Sequence, residues 1–397
     1  MGLRFIHAAD LHLGYEQYGV VERSNDFYRA FVWLCDQALD QRVDFVLLAG
    51  DLINKPAIDA HTLLQATRQL QRLRDANIPT LAVKGNHEGA HTQDRFGWLD
   101  YLDRLGFLRV LSIAYTDGDL TLSAGGPHGQ LCSHVDLPSG VRVVGLQYVG
   151  ASSARVVADL AAALPAIPGP APAYCVLMLH AGLEGVLPNY SGGLTHAQLA
   201  PLKPYVNYLA MGHIHKPFAH DDWIYNPGSL ETVSIQELAW SDRGCLLVEL
   251  DDRDPVGHRV TRLVSPRRPF RQIDLEVDEH TTPDSLYGAL ERRLSGERPA
   301  ELLADRPVAV LRLRGVLPFS NLDLETARLE NIVRQALNPL HYVFHNEYAE
   351  MGPLDDSGDR GFSSAELERL VLAQLVEREV RYKGQGERWA DLVIHVK

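Results

Sequence analysis

Five short apolar segments within the first 215 residues each end next to side chains that bind divalent metals. Segments of this length, bounded by glycine or polar residues, are typical of buried β-strands. In open α/β sheets the ligand site lies beyond the carboxyl ends of the strands. We therefore expect the five strands to bring these side chains to one edge of one sheet. The segments are residues 5–8 before Asp10 and His12, 45–49 before Asp51, 80–83 before Asn86 and His87, 175–179 before His180, and 208–211 before His213 and His215.

The spacing and chemistry of these side chains predict a metal site. Asp10 and His12 are two residues apart, so in an extended segment their side chains point to the same side, and His213 and His215 repeat this spacing. Carboxylate, amide and imidazole ligands without thiolate suit Mn²⁺, Fe²⁺ or Zn²⁺. The set exceeds what one ion needs, whereas two ions about 3.5–4 Å apart and bridged by a carboxylate use all of it. The reaction class is metal-assisted hydrolysis of a phosphate ester, with Asp10, His12, Asp51, Asn86, His180, His213 and His215 as predicted ligands.

His87 has a separate predicted role. Asn86 can bind a metal through its side-chain carbonyl, while the imidazole of the next residue points elsewhere. Because an imidazole titrates at a pKa of about 6.5, His87 can protonate a leaving oxygen or stabilise phosphoryl charge. The alternative is a structural histidine that supports its neighbours.

The charge balance limits the possible functions. The chain has 51 acidic and 38 basic residues, a formal net charge of −13. Since DNA affinity is largely phosphate neutralisation by Lys and Arg, the chain is not a general DNA-coating protein. A nuclease that reaches DNA through bound metals, local patches or a partner chain stays possible. No G-x-x-x-x-G-K-[ST] phosphate loop occurs, so no P-loop ATPase is encoded here.

Cysteine usage and hydropathy suggest the compartment. The four cysteines are widely spaced without a C-x-x-C pair, which favours buried cytosolic thiols over disulfides. No segment reaches the roughly 18–20 consecutive apolar residues of a membrane span, and the N-terminus enters a strand without an apolar targeting region. We expect a cytoplasmic protein without membrane contact.

Periodicity predicts three regions. Strand-like and helix-like segments alternate over residues 1–264, with helices expected at 26–41, 61–76 and 93–105, which predicts an α/β domain. Residues 265–350 predict strand, helix, strand, helix, strand, with Pro283 opening the first helix. Residues 351–397 contain a capping box at Ser363 and Glu366 before an apolar helical stripe. This stripe either packs on its own domain or docks on another protein.

A basic linker joins the first two regions. Arg267 and Arg268 lie among further arginines and prolines with no acidic residue between them. The cluster could contact a DNA backbone, or it could simply be solvated.

The ordered motifs D-x-H, G-D, G-N-H-[DE], H and G-H-x-H resemble those of the calcineurin-like metallophosphoesterase superfamily. Within it the chain is similar to SbcD-type DNA-repair nucleases, the nuclease subunits of SbcC–SbcD complexes, most clearly over residues 10–14, 50–53 and 208–217. The resemblance covers residues 1–265 well. It implies an α/β fold, with a metallophosphoesterase β-sandwich flanked by helices, then a smaller α+β capping domain and a C-terminal helical tail.

The resemblance also implies individual roles. Asp10, His12, Asp51 and His215 would hold one ion, and Asp51, Asn86, His180 and His213 the other, with Asp51 as the bridge and His87 as the catalytic histidine. The family implies Mn²⁺-dependent exonuclease and endonuclease activity on DNA in double-strand-break repair. It further implies a homodimer and docking of the C-terminal helix on an SbcC-like coiled-coil ABC ATPase.

Three positions depart from the family pattern or add to it. Asn54 stands where members commonly have His or Asp to support the catalytic histidine, and Ser229 closes the family's turn over residues 226–229. We assign both to positioning of the site or the substrate. Glu88 replaces the more usual Asp, and the form G-N-H-E also occurs in protein serine/threonine phosphatases. Those enzymes follow G-D with an Asp-Arg-Gly segment, where this chain has Asn54, Lys55 and Pro56.

Two other functions are compatible with the sequence. The acidic charge favours a phosphodiesterase or phosphatase acting on small nucleotides or phosphoproteins, although such an enzyme would not need residues 270–397. A non-catalytic scaffold is disfavoured because none of the ligands is missing.

Overall fold

Strands alternate with helices over residues 4–110, whereas runs of consecutive strands occupy much of the described chain after that. The computed structural model describes residues 2–88, 96–138, 140–188, 190–251 and 257–350. Its strands are β1 Arg4–Ala8, β2 Phe45–Leu48, β3 Thr80–Ala82, β4 Arg109–Val110, β5 Ala114–Thr116, β6 Asp119–Thr121, β7 His134–Asp136, β8 Val141–Leu146, β9 Tyr174–His180, β10 Tyr208–Gly212, β11 Phe218–His220, β12 Ile224–Asn226, β13 Gly244–Leu250, β14 His258–Val264, β15 Phe270–Glu276, β16 Val308–Leu317 and β17 His341–Glu350.

Two of the helices begin at caps that the sequence shows. The Asp59 carboxylate accepts a hydrogen bond from the backbone N–H of Thr62 at 2.6 Å, and Thr282 precedes the helix that opens at Pro283 as predicted. The predicted helices over 26–41 and 61–76 are confirmed, and the third begins at Trp98 within the described part of the chain. The helices are α1 Val21–Asp40, α2 Ala60–Asp75, α3 Trp98–Arg104, α4 Ser153–Ala163, α5 His196–Leu199, α6 Pro283–Leu294 and α7 Thr326–Leu337. None of the helices in the described ranges is long and apolar enough to cross a membrane.

Two six-stranded sheets carry the predicted ligands. One has the order β14-β13-β1-β2-β3-β4 and the other β11-β12-β10-β9-β8-β7. The central strands of each run parallel, β1 to β4 in the first and β8 to β10 in the second. The prediction of a single sheet was therefore wrong, since three of the ligand strands lie in one sheet and two in the other.

Alternating side chains explain why two sheets form. Phe5, Phe45 and Leu81 of the first sheet share a buried cluster with Val176 and Tyr208 of the second. The residues between them point the other way: Ile6, Val46 and Ala82 pack with α1, α2 and α3, and Leu177 and Leu209 pack with α4 and α5. Because these strands are apolar on both faces, each sheet is buried between its partner sheet and a helical layer. The predicted β-sandwich flanked by helices is confirmed.

The later elements follow in the predicted order β15, α6, β16, α7, β17, and the three strands form a sheet of order β15-β16-β17. The described chain comprises two compact units, one of residues 2–275, 289–312 and 326–345, the other of 276–288, 313–325 and 346–350. The division at 264 and 350 stays a prediction, and the capping box and apolar stripe of residues 351–397 lie outside the described residues.

Helix α1 is tied to the segment after β14 by a buried ionic network. Asp26 is 4% exposed and accepts hydrogen bonds from Arg268 Nε at 2.6 Å and Arg23 Nη1 at 2.5 Å. Arg23 also reaches Glu231 at 3.2 Å. Buried charges are tolerated only when they are paired and hydrogen-bonded, so Asp26 holds two cations in place.

Replacing Asp26 with alanine is expected to lower the free energy of unfolding by about 3–5 kcal/mol, because two buried guanidinium groups each lose one of the two carboxylates near them. Asp159→Ala, which removes an exposed ion pair with Arg155 and an exposed hydrogen bond from the Tyr115 hydroxyl, is the control and should cost at most about 1 kcal/mol. Denaturant unfolding followed by circular dichroism measures both. Equal effects of the two substitutions would show that the network contributes no more than a surface pair.

Candidate metal centre

The predicted ligands meet at the carboxyl ends of the parallel strands of the two sheets. β1 and β2 run parallel, and the loops after them stay paired: the Asp10 N–H donates to the Gly50 carbonyl at 3.1 Å and the His12 N–H to the Asp51 carbonyl at 3.0 Å. In the second sheet the pairing of β9 and β10 places Gly212 opposite His180. Backbone hydrogen bonds therefore fix the positions from which the side chains project.

The backbone at the ligands is strained. Asp10, His12, Asp51 and His213 have φ values of 55°, 49°, 53° and 92°. Residues other than glycine rarely adopt positive φ, and such conformations persist where the surrounding structure imposes them, often at functional sites. These positive φ values support a functional role for four of the seven predicted ligands.

Two glycines make room for the ligands. At Gly50, where φ is 93°, a Cβ atom would lie 2.0 Å from His180 Nδ1. At Gly85 it would lie 2.0 Å from Asp51 Oδ1. The glycines of the G-D and G-N-H motifs are thus required by close approach, and a side chain at either position would displace a predicted ligand.

One group of side chains comprises Asp10, His12 and His215. Their candidate ligand atoms all lie within 4.8 Å of one another. His12 Nε2 lies 3.1 Å from His215 Nε2, and the Asp10 carboxylate accepts hydrogen bonds from the His213 N–H at 3.1 Å to each oxygen. Two imidazole nitrogens at this separation are compatible with binding to one cation.

A second group forms around Asn86. Its Oδ1 atom lies 2.8 Å from His213 Nδ1 and 3.1 Å from His180 Nε2. His180 Nε2 also lies 3.4 Å from Asp51 Oδ2. Asp51 further belongs to a set of close candidate ligands with Asp10 and His180. Asp51 is therefore next to members of both groups.

The electrostatics favour the metal-binding protonation state at His12, His213 and Asp51 but not at two other predicted ligands. At His180 the Asp51 carboxylate outweighs burial and raises the pKa of the imidazole to about 9, and at His215 the hydrogen bond to Glu237 outweighs burial and raises the pKa. Burial and the nearby His215 lower the pKa of His12 to about 3, and burial and His180 lower that of His213 to about 4, so both are neutral near pH 7. Burial alone would raise the pKa of the Asp51 carboxyl, but His180 holds it well below its usual value. Neutral imidazoles and an ionised carboxylate are the forms that coordinate cations.

These residues fit a metal centre on their own contacts. His180 Nδ1–H donates to the Ala49 carbonyl at 2.7 Å and His215 Nδ1–H donates to Glu237 Oε1 at 2.7 Å, which leaves Nε2 of each ring as the nitrogen that would bind a metal once it has lost its proton. His12 Nδ1 is buried without a hydrogen-bond partner among the described residues. Ring nitrogens held by hydrogen bonds on the far side are a regular feature of metal-binding histidines.

His87 lies at the edge of this cluster. Its Nδ1–H donates to the Asn54 carbonyl at 2.6 Å, and its backbone N–H donates to Asp51 Oδ1 at 2.9 Å. Its Nε2 atom lies 4.0 Å from Asp51 Oδ2, and the side chain is 38% exposed. The ring is thus fixed by its rear nitrogen while its front nitrogen is accessible.

The other predicted site residues have different surroundings. Asn54 supports His87 through its backbone carbonyl, so the contact does not depend on having His or Asp at this position. Ser229 is buried, donates its backbone N–H to the His215 carbonyl at 3.3 Å and accepts from Arg243 Nη1 at 2.5 Å. Arg267 donates to the Ser241 carbonyl at 2.6 Å. The side chain of Arg268 is fully buried against Asp26, which contradicts its expected contact with DNA, because no part of its guanidinium can reach a phosphate on the surface.

Sequence reasoning did not identify three carboxylate and guanidinium side chains that support the ligands. Glu237 binds His215 and also accepts from the Val233 N–H at 2.9 Å, and Arg243 pairs with it at 2.6 Å. Glu88 accepts from the backbone N–H groups of Asp51 at 3.1 Å and Gly85 at 2.7 Å. Glu88 was visible in G-N-H-E, but Glu237 lies in a short helix with no local motif.

Replacing Glu237 with glutamine is expected to weaken Mn²⁺ binding by about 10–100-fold, because an amide orients the His215 ring less firmly than a carboxylate and polarises it less. Isothermal titration of the metal-free chain with Mn²⁺ measures the change. Glu249→Gln, which affects a partly exposed pair with Arg4, is the control and should leave the affinity unaltered. Matching affinities for both variants would show that Glu237 plays no part in the site.

Comparison with known families agrees with this geometry. Residues 3–217 match the family described as calcineurin-like phosphoesterase. This segment contains all seven predicted metal ligands and His87. The chain belongs to the calcineurin-like phosphoesterase family.

Individual relatives show which members of the family the chain is similar to. The chain is similar to proteins named DNA double-strand break repair protein Mre11: that of Saccharolobus solfataricus is 27% identical over 67% of this chain and 65% of the relative. The protein of Archaeoglobus fulgidus is 32% identical over 59% of this chain and 52% of the relative. The protein of Aeropyrum pernix is 29% identical over 73% of this chain and 67% of the relative. The chain thus spans between half and two thirds of the length of these relatives.

Proposed function

We propose that the chain hydrolyses phosphodiester bonds of DNA with two divalent ions, as an exonuclease and endonuclease in double-strand-break repair. The observation that carries the proposal is the convergence of seven metal-binding side chains from five strand ends of two sheets, with Asp51 next to both groups. Asp10, His12, Asp51 and His215 are proposed to hold one ion, and Asp51, Asn86, His180 and His213 the other.

The proposed metal is Mn²⁺. The donor set of carboxylate, amide and imidazole contains no thiolate, and all four cysteines are free and buried. When bound, such a pair of ions lowers the pKa of a water between them and neutralises charge on phosphoryl oxygens. Asp51 brings an ionised carboxylate to both ions, and neutral His12 and His213 add ligands without competing protons.

His87 is proposed as the catalytic histidine. Because its Nδ1–H is bound to the Asn54 carbonyl, the proton that it gives to the leaving oxygen must come from Nε2, the atom that faces Asp51. Proton transfer by a positioned histidine contributes about 10²–10⁴-fold to a rate. Asn54 and Ser229 act as positioning residues, the first on His87 and the second on His215.

DNA is the proposed substrate for two reasons. The relatives are named as DNA double-strand break repair proteins. The ring of Tyr148 lies 5.5 Å from that of His213 and is 38% exposed, so it can stack on a base or sugar beside the metals. The net charge of −13 predicts weak binding to DNA alone, which supports a role for a partner.

The proposed partner is an SbcC-like coiled-coil ABC ATPase. The chain has no phosphate loop of its own, and the helical stripe of residues 351–397 is proposed to dock on the coiled-coil base. Residues 265–350 are proposed as the DNA-capping domain, with Arg267 as its remaining candidate DNA contact. A homodimer and a cytoplasmic location complete the proposal, the latter in keeping with four free thiols.

One assay tests substrate and reaction together. The metal-loaded chain is incubated with end-labelled duplex DNA in Mn²⁺, with and without the coiled-coil ATPase, beside bis(4-nitrophenyl) phosphate. We expect both substrates to be cleaved and the ATPase to increase cleavage of DNA. Hydrolysis of the small ester without DNA cleavage under any condition would assign the chain to small phosphodiesters, and hydrolysis of neither would refute a catalytic function.

A further inference from the structure

Each proposed ion takes its ligands from both six-stranded sheets. The first sheet supplies four of the predicted ligands and the second supplies three, namely Asp10, His12, Asp51 and Asn86 from the first and His180, His213 and His215 from the second. The relative position of the two sheets at their carboxyl ends therefore sets the distances between the ligands. A side chain that fixes this position would act on the metal centre without binding a metal.

The end of β10 lies directly against the first sheet. A Cβ atom on Gly212 would lie 2.1 Å from the Ala49 carbonyl oxygen and 3.0 Å from the Cβ atom of Ala9, so the approach leaves no room for a side chain. The next residue, His213, donates its backbone N–H to the Asp10 carboxylate at 3.1 Å. β10 is thus held to the loop after β1 on the carboxyl side of Gly212.

On the amino side of Gly212 the contact comes from His7 in β1. The side chain is fully buried, and its partner on β2, Leu47, belongs to the apolar cluster between the sheets. His7 Nε2 lies 3.0 Å from the Met211 carbonyl oxygen, and His7 Nδ1 lies 3.0 Å from the Tyr208 hydroxyl oxygen. Both partners belong to β10, so the ring bridges the two sheets.

The two contacts fix the orientation and the tautomer of the His7 ring. A carbonyl oxygen only accepts hydrogen bonds, so Nε2 carries the proton and donates to Met211, and Nδ1 accepts from the Tyr208 hydroxyl. Burial lowers the pKa of His7 to about 3, which keeps the ring neutral near pH 7. With both nitrogens occupied, His7 has no lone pair left for a metal, and it belongs to none of the sets of close candidate ligands in the described part of the chain.

A polar ring in this apolar layer indicates a role beyond packing. An imidazole between the sheets loses its hydration, which its two hydrogen bonds offset, whereas an apolar side chain would fill the space without that cost. Buried hydrogen bonds that are fully satisfied specify one arrangement of the elements that they join. Together with the Asp10 carboxylate, His7 holds the backbone on both sides of Gly212.

We propose that His7 is a positioning residue of the metal centre, which holds the carboxyl end of β10 at a fixed distance from the ligands of the first sheet. Without its ring, the Met211 carbonyl and the Tyr208 hydroxyl lose their shared partner, and fewer contacts hold the end of β10 that leads to His213. The spacing between the two groups of ligands then becomes less well defined, which weakens metal binding. The inference rests on the proposed two-ion function and assigns a role in it to a residue that binds no metal.

Two substitutions separate the hydrogen bonds of His7 from its volume. His7→Leu places an apolar side chain in the apolar layer and removes both hydrogen bonds. His7→Gln keeps a donor, because the side-chain amide reaches about as far as Nε2 and can bind the Met211 carbonyl. Titration calorimetry of the metal-free full chain with Mn²⁺ measures the affinity and the number of ions. We expect His7→Leu to bind Mn²⁺ about tenfold more weakly, the lower end of the range for groups that support metal ligands, and His7→Gln to recover most of the affinity.

Electron paramagnetic resonance of the Mn²⁺-loaded chain gives a second readout. Two Mn²⁺ ions about 3.5–4 Å apart are magnetically coupled, and their spectrum changes with their separation. We expect the unaltered chain and His7→Gln to show the coupled spectrum, and His7→Leu to show a larger share of uncoupled Mn²⁺. A residue that contributed only to stability would leave the spectrum of the folded protein unchanged.

Tyr174→Phe is the matched control. The Tyr174 hydroxyl lies 2.6 Å from His258 Nδ1, so it also joins the two sheets by a buried hydrogen bond, but at the end of β9 opposite His180. This variant should bind Mn²⁺ as the unaltered chain does, even where denaturant unfolding shows a loss of stability. If His7→Leu does not fold, Tyr208→Phe takes its place, because it removes one oxygen atom and one of the two hydrogen bonds. It should weaken Mn²⁺ binding several-fold.

Three results would overturn the proposal. The first is equal Mn²⁺ affinity in the unaltered chain and in His7→Leu, or in Tyr208→Phe where that variant replaces it. The second is a loss of affinity in His7→Gln as large as in His7→Leu, and the third is an equally large loss in Tyr174→Phe. Failure of the proposed function gives a different result: an unaltered chain that binds fewer than two Mn²⁺ ions would refute the two-ion site itself and the positioning role with it.

Discussion

Asp51→Asn is expected to lower phosphodiester hydrolysis by about 10³-fold or more and to reduce the bound Mn²⁺ from two ions to at most one. Asp51 lies close to members of both groups, His180 on one side and His12 in a shared cluster on the other. A metal pair supplies several kcal/mol of charge stabilisation in the transition state, and about 1.4 kcal/mol corresponds to tenfold in rate. Losing the shared carboxylate is therefore expected to lower the rate of hydrolysis by about three factors of ten.

Asparagine is chosen because it removes the negative charge of Asp51 and keeps the shape of its side chain. Its side-chain oxygen can still accept the hydrogen bond that the His87 N–H donates to Asp51 Oδ1 at 2.9 Å, so the loop keeps its conformation. Metal content is measured by elemental analysis after gel filtration, and turnover with bis(4-nitrophenyl) phosphate. Asp75→Asn, at a carboxylate that is 62% exposed, is the control. Two tightly bound ions in Asp51→Asn would show that the bridging role was misassigned.

The sequence predicted which residues form the site more fully than it predicted how they are held. Each predicted ligand lies at the end of an apolar strand or a few residues beyond it. That information is local, so short motifs were enough to predict a set of seven side chains that the structure brings close together. The arrangement in two sheets was not predictable in this way, because it depends on which faces pack together: Phe5 and Tyr208 are 203 residues apart in the chain and their rings lie 5.4 Å apart.

The supporting contacts escaped prediction for a related reason. His180 is oriented by the Ala49 carbonyl and His87 by the Asn54 carbonyl, and a backbone carbonyl has no signature in the sequence. Asn54 illustrates the consequence. As a side chain it departs from the family pattern, but its backbone makes the contact that positions the histidine.

The expected contact of Arg268 with DNA was wrong because its surroundings are set by a distant residue. An arginine in a linker rich in proline and basic residues resembles a solvated or DNA-binding cation, yet its guanidinium is buried against Asp26 and donates to the Arg306 carbonyl at 2.6 Å. Its acidic partner lies in α1, far away in the sequence. Local composition therefore gave the charge of the residue but not its environment.

His87→Ala is expected to lower turnover of DNA by about 10²–10⁴-fold while both ions stay bound, because the proposed role of His87 is to give a proton to the leaving oxygen and not to bind a metal. The geometry supports this separation of roles: its Nδ1 is occupied by the Asn54 carbonyl, and its Nε2 is 4.0 Å from Asp51 Oδ2. Titration with Mn²⁺ and turnover assays on the same preparation measure the two effects. His220→Ala, at an exposed histidine, is the matched control.

The leaving group distinguishes acid catalysis from a structural effect. A 4-nitrophenolate leaves without protonation, whereas the alkoxide of a DNA sugar needs a proton, so His87→Ala should impair hydrolysis of bis(4-nitrophenyl) phosphate much less than cleavage of DNA. A loss that is equal for both substrates would mean that His87 stabilises phosphoryl charge or supports the site. Loss of an ion in the variant would make it a ligand. Because the ring is already fixed at one nitrogen, only the leaving-group dependence can tell whether the proton on the other nitrogen is used.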